Sequence, residues 1–281
     1  MPSFFKDELE RHGFVEGRNL VIDRRYTERD FTRADAAAAE LVALKPDVIF
    51  TVAGTVGARA AQRATRTIPI VFEAVGDPVR AGLVASLPRP GGNLTGTATF
   101  PTLDAKRAQI LVEALGKPTL LAVLDVRRTE AQRQRAMEGW PEFPGTRVQV
   151  FEVERSEELP AVFERIVQQK ASGLVVMHAP FTAVNHPLIA QLATKHRLPA
   201  IANGHGYTIA GLMLTYTTDF KEAFIRAADY VARILRGTAT PADLPVEHLS
   251  RFPFVINQRV AREFGVRIPA ALLVRADEVI E

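Results

Sequence analysis

Gly54-Thr55-Val56-Gly57 is the first group of residues along the chain with the means to bind an anion. It follows a short apolar run and opens an amphipathic one, so it reads as a turn from a strand into a helix. Backbone N–H groups and the helix dipole at such a turn favour a ligand carboxylate, and the Thr55 hydroxyl can add a hydrogen bond. A capping Thr beside a permissive Gly would account for the same residues without a ligand. Gly76-Asp77-Pro78 closes the next apolar run. Asp77 can accept a hydrogen bond from a ligand ammonium, or cap the turn ahead of Pro78. Asp125 and His178 each follow the last apolar residue of a later run; a lone His is more often structural than functional, but the strand-end position keeps His178 a candidate. These groups suit the holding of a small polar molecule. The chain contains no G-x-S-x-G, H-E-x-x-H, Walker A or G-x-G-x-x-G pattern, so no catalytic residue is assigned. An acid–base site drawn from Asp77, Asp125, His178 and His205 remains the enzyme alternative.

The elements that must position these residues alternate in type. Residues 47–52 and 68–75 are short runs rich in β-branched residues, with an amphipathic stretch at 56–64 between them. That pattern predicts a βαβ unit in a parallel sheet, where ligands sit outside the carboxyl ends of the strands. Ahead of it, Ser3 is expected to cap a helix over 4–12 that ends at Gly13. A strand over 19–25 and a helix over 34–44 follow. A second alternation begins after Gly96, with helices predicted at 103–115, 129–138, 157–170 and 185–196 and strands at 120–125, 147–152, 173–178, 200–202 and 211–215. Asp219 is placed to cap a helix over 220–236, and residues 257–264 read as one more helix.

Composition narrows the function classes. A chain of 281 residues with 47% hydrophobic and 24% charged residues is an ordinary globular protein. Its net charge of +3 is small and its arginines are scattered, which speaks against a nucleic-acid partner. With no cysteine, thiolate chemistry and Cys-based metal sites are excluded. Nothing calls for a metal or cofactor. No apolar run approaches the ~20 residues that span a bilayer, so direct membrane insertion is not expected. Met1-Pro2-Ser3-Phe4-Phe5 lacks the basic and apolar regions of a secretory signal.

Four long motifs carry a resemblance: LKPDVIF, TIPIVF, VGDPVRAGLVASLPRPGGNLTG and the tail from Leu244 to Glu281. Together they resemble the substrate-binding proteins of ABC transporters, in the family that includes tryptophan and tyrosine binders. The resemblance implies a two-lobed α/β fold of the periplasmic-binding-protein type I class, each lobe a parallel sheet flanked by helices. Lobe 1 would comprise 1–97 and 218–245, and lobe 2 would comprise 98–217 and 246–281, with crossings near 96–101, 215–219 and 245–254. It also implies that Thr97 faces the interlobe cleft and that Tyr216 stacks on or hydrogen-bonds the ligand.

The chain departs from the family in places. Asn203 lies in a stretch, 202–207, where many relatives have aromatic, acidic and arginine residues, and Asp125 lies where they tend to have Asn-Pro. Relatives also carry a signal peptide and a first strand before the segment matching FFKDELERHGFVEGRN, so the first strand of lobe 1 is expected to be missing. The implied function is capture of an amino acid or related small carboxylate, aromatic ones included, for delivery to an ABC transporter permease, with a periplasmic location. A cytoplasmic ligand-sensing domain of the same fold is the alternative to transport.

Overall fold

The computed structural model describes residues 2–28, 30–99 and 103–281. Its chain divides into two compact α/β units, Met1–Pro101 with Asp219–Arg251 and Thr102–Thr218 with Phe252–Glu281. Of the expected crossing at 96–101, residues 100 and 101 lie outside the described residues.

The first unit begins with α1 (Ser3–Arg11), α2 (Ala34–Ala43), β1 (Ile49–Thr51), α3 (Gly54–Ala64), β2 (Ile70–Val75) and β3 (Leu94–Ala98). The second contains α4 (Leu103–Leu115), β4 (Leu120–Val126), α5 (Glu130–Ala136), β5 (Arg147–Val153), α6 (Leu159–Gln168), β6 (Gly173–Val176), α7 (Pro180–Val184), α8 (His186–Lys195), β7 (Ala200–Ala202), α9 (His205–Ile209) and β8 (Leu214–Tyr216). The chain returns to the first unit for α10 (Phe220–Leu235) and β9 (Glu247–His248). It ends in the second with β10 (Phe254–Asn257), α11 (Gln258–Phe264), α12 (Ala270–Arg275) and β11 (Glu278–Ile280).

Each sheet is buried on both faces, as the apolar strands require. In the first, ordered β1-β2-β3-β9 and parallel throughout, Ile70 and Phe72 of β2 pack on one side with Ala58 and Ala61 of α3. Val71 packs on the other, with Phe5 of α1 and Ala227 and Val231 of α10. Phe5 stacks on Phe50 with ring centroids 4.5 Å apart, and Phe224 meets both rings edge-on. The second sheet, ordered β11-β10-β8-β7-β6-β4-β5, is parallel except where β10 runs against β8. Along its buried strand β4, Ala122 and Leu124 join α6 and α8 in one core. Leu121 and Val123 join α4 and α11 in the other. Burying each such Leu or Val stabilises the fold by about 1.5–3 kcal/mol. Asp219 caps α10, accepting from the backbone of Lys221 and Glu222.

Several expectations are corrected. Residues 19–25 form no strand: the segment makes one bridge, Glu16 to Leu20, because no neighbouring strand stands within reach on its inner side. Ser3 lies inside α1, whose N-cap is Pro2, and makes no capping bond. The strand expected over 173–178 stops at Val176, and α7 and α9 were not foreseen. Residues 246–251 belong to the first unit rather than the second, because β9 adds to the edge of β3.

A close backbone approach lies where β1 hands over to α3. A side chain at Gly57 would collide with the carbonyl oxygen of Val52 and stand 3.5 Å from Thr51 Cβ. The collision is with backbone, which cannot move aside without parting helix from strand. Gly57→Ala is therefore expected to cost about 3 kcal/mol in urea unfolding. Gly92→Ala, in open space, should cost nothing or stabilise by up to about 1 kcal/mol. Equal effects at the two positions would contradict the close approach.

Candidate functional site

In the first unit the candidate residues gather at the carboxyl ends of β1 and β2. The chain leaves β1 through Ala53, which is left-handed at φ 71. That costs an alanine about 1–2 kcal/mol. Helix α3 then starts at once, so Gly54 (φ +56) and Thr55 form its first turn, not a loop before it. Ala53 has no side chain able to cap, and among the described residues no side chain does so. The half-buried Thr55 hydroxyl bonds no other described residue. Thr51, on the strand beneath this turn, is buried with an unpartnered hydroxyl.

The end of β2 abuts the same point, since a Cβ at Gly54 would lie 3.4 Å from the carbonyl oxygen of Ala74. Ala74 is also left-handed (φ 50) and sits where the register between β2 and β3 shifts. Thr97 sustains this irregularity: fully buried, its hydroxyl accepts from Ala74 N–H at 3.0 Å. Gly76 and Asp77 follow as half-buried residues. The Asp77 carboxylate accepts from the backbone N–H of Arg80 at 2.9 Å, capping the turn. Glu73 stands just before the irregularity. It is 4% exposed, with one carboxyl oxygen unpartnered, and burial pushes its pKa up to about 7.

In the second unit the candidates are joined by hydrogen bonds. Arg107 of α4, 1% exposed, donates to the Tyr216 carbonyl at 2.7 Å and pairs with Asp104 one turn earlier. Burial lowers its pKa while Asp104 opposes the shift. Asp104 also accepts from the backbone N–H of His178. The Thr218 N–H can only donate, which fixes Asn203 Oδ1 as its acceptor. Asn203 Nδ2 is then left to donate to His178 Nδ1 at 2.8 Å. The neutral imidazole therefore carries its proton on Nε2. The ring keeps an exposed face, yet the protein crowded around it, and then the Arg107 charge, lower its pKa against the pull of Asp104.

Asp125 is buried and bound to Arg128 through both carboxylate oxygens, at 2.6 and 3.0 Å, and also accepts from Val126 N–H. Its acceptor capacity is spent on aiming Arg128. The Tyr216 ring leans on Phe252 and Phe254, and burial raises the pKa of its phenol.

Each unit thus brings its own candidates together at strand ends. Thr97, Asp125 and Asn203 are engaged with the protein itself, whereas Thr55, His178 Nε2 and the Tyr216 phenol are open to a partner. Thr51, Glu73, Arg107 and Arg128 escaped the sequence reading. Arg107 had one signal, an Asp three residues earlier on the same helix face. Among the described residues no three His, Asp or Glu side chains are grouped to hold a metal ion.

Comparison with known proteins supplies the family. The family described as ABC transporter substrate binding protein matches residues 3–280. A tyrosine-binding protein of Clostridioides difficile (strain R20291) is 26% identical over 258 residues, which cover 90% of this chain and 73% of that protein. Among solved structures, an ABC domain from Streptococcus pneumonia in complex with L-Trp superposes with a TM-score of 0.86 at 23% identity. A conserved domain protein of Vibrio cholerae does so with a TM-score of 0.86 at 27% identity. Each alignment covers 99% of this chain and 93% of the other.

Glu73 gives the site a pH signature. A carboxyl whose pKa rises from 4.5 to about 7 on folding favours the folded state while protonated. That contribution is complete below about pH 4.5 and is lost as pH rises through about 7. Urea unfolding from pH 5 to 8.5 should show the natural protein losing stability relative to Glu73→Gln, by about 3 kcal/mol at pH 8. A difference independent of pH would contradict the buried, unpartnered carboxyl.

Proposed function

We infer the function from the premise that this chain belongs to the ABC transporter substrate-binding protein family. It is a substrate-binding protein of the two-lobed periplasmic-binding-protein class. Its ligand is an amino acid, with aromatic ones the leading candidates. The relative named for tyrosine and the structure bound to L-Trp support that ligand class.

The observation that carries the reading is the uncapped first turn of α3, with the free Thr55 hydroxyl, at the end of β1. A helix N-terminus without a cap is a seat for a carboxylate. The amino acid's carboxylate binds at Gly54 and Thr55, and its ammonium donates to Asp77, beside Gly76. Within the second unit, His178 Nε2 and the Tyr216 ring are the groups left open to a polar and to an aromatic partner. Asn203 orients His178, while Thr97 fixes the irregular end of β2 and Asp125 orients Arg128. No bond is broken in the cycle: the ligand is captured and passed to an ABC permease, at the periplasmic side of the membrane. No helix of the described residues is long and apolar enough to cross a membrane.

A thermal-shift comparison of L-tyrosine, L-tryptophan and tyramine tests this. Ligand at about 100 times its Kd adds ~2.7 kcal/mol to stability, so the two amino acids should raise the midpoint by several degrees. Tyramine, which lacks the carboxylate, should not. Thr55→Ala should weaken amino-acid binding about fivefold, the loss of one hydrogen bond of ~1 kcal/mol. Equal response to tyramine, or no response to any amino acid, would overturn the reading.

A further inference from the structure

Apart from the strand ends, the second unit contains a groove of about 860 Å³ along β5, the terminal strand of its seven-stranded sheet. Strand β5 bonds its neighbour β4 through alternate residues. At its start Arg147 donates its N–H to Thr119 at 2.9 Å, and at its end the Val153 carbonyl accepts from Arg127. Backbone groups alternate between the two edges of a strand, so the N–H and C=O groups of Val148, Val150 and Glu152 point away from β4. All three residues line the groove. Among the described residues no other segment takes up these groups.

The two faces beside that edge differ. Phe151 and Val153 pack with α6, and Gln149 shares their side of the strand. There Arg165, Gln168 and Gln169 of α6 form the wall of the groove. Val148 and Val150 pack, half-buried, on the opposite core. Glu152 shares their side and is held by Arg133 of α5 at 2.8 Å. The groove is basic, because Arg127, Arg133 and Arg165 line it against Glu152 as the one acid. Arg133 is engaged by Glu152 and Glu130, and Arg127 forms an exposed pair with Glu154, an interaction of about 1 kcal/mol or less. The exposed Arg165 side chain pairs with no other described residue.

These walls select an occupant. A polyanion without regular N–H groups would meet Arg165 but make no use of the edge carbonyls. A polypeptide strand uses both, since it carries donors and acceptors at the repeat of β5 and sends alternate side chains to opposite faces. On the α6 face those side chains meet Arg165 and the glutamines, which favours acids. On the other they cover Val148 and Val150, which favours β-branched apolar residues. Antiparallel pairing with a second copy of this chain would bring the two Arg165 side chains onto one face, like charge against like.

We propose that the free edge of β5 docks an extended acidic segment of another polypeptide, about five residues long, in which acids alternate with β-branched apolar residues. The segment joins the sheet as a strand beyond β5, bonding Val148, Val150 and Glu152 through its backbone and Arg165 through its acids. The capture of an amino acid at the strand ends does not depend on this proposal.

A capped six-residue peptide of alternating glutamate and valine tests it on the 281-residue chain. At saturating concentration and low ionic strength the peptide should slow exchange of the Val148, Val150 and Glu152 amides about tenfold or more. Arg165→Glu should weaken its binding about tenfold, and Arg165→Gln, which removes the charge without reversing it, should weaken it less. No slowing by the acidic peptide would overturn the proposal. Equal slowing by a peptide of alternating lysine and valine would remove the charge reading, and equal slowing by one of alternating glutamate and proline would remove the added strand; either result overturns it. Protection of the chain alone that rises with its own concentration would assign the edge to a second copy and overturn it too.

Discussion

The structure of the first unit depends on how closely α3 lies against the end of β1. The carbonyl of Val52 occupies the space that any side chain at position 57 would need, so helix and strand meet backbone to backbone. To turn that sharply the chain adopts a left-handed Ala53 and Gly54. The cost of that geometry is offset by Ala58 and Ala61, which the turn delivers into the core beneath Ile70 and Phe72. The same geometry leaves the helix with an N-cap residue that has no polar side chain. Polar capacity at the strand end is thus a by-product of tight packing, available to a ligand because no described side chain takes it up.

The second unit reaches a comparable polarity by another route. Its polar strand-end residues are arranged around a buried cation. Arg107 would be costly to bury alone; Asp104 neutralises it and the Tyr216 carbonyl completes its bonding. Asp104 in turn touches the His178 backbone, and Asn203 ties the imidazole to Thr218, next to the start of α10. A chain of donors and acceptors with fixed direction therefore sets the tautomer of His178. Asp125 acts on Arg128 in a similar way, its own oxygens consumed in orienting the guanidinium. These residues matter through what they hold in place.

Much of this was legible in the sequence where one physical signal dominated. The apolar runs of β2 and β4, the amphipathic α6 and the Asp219 cap of α10 each announce themselves within a few residues, and the parallel α/β architecture follows. What stayed hidden depends on partners far along the chain. Nothing local marks Arg107 as buried, since its carbonyl partner at Tyr216 lies 109 residues away. Thr97 offers a hydroxyl whose use is decided by a left-handed Ala74 on the neighbouring strand. Residues 19–25 read as a strand because their pattern is that of one, and they fail to form it because a strand is made by its neighbour as much as by itself. The short helices α7 and α9 run to five residues each, too few to show a helical period.

The central claim is that ligand recognition resides at the carboxyl ends of the parallel strands. The most direct measurement is an amide NMR titration of the deuterated protein with L-tryptophan. Chemical-shift changes should concentrate at residues 51–57 and 74–80 in the first unit and at 178, 203 and 216–218 in the second. Saturable changes confined to residues 17–23 and 44–50, along a groove beside β1, would contradict the account, as would a spectrum that does not respond.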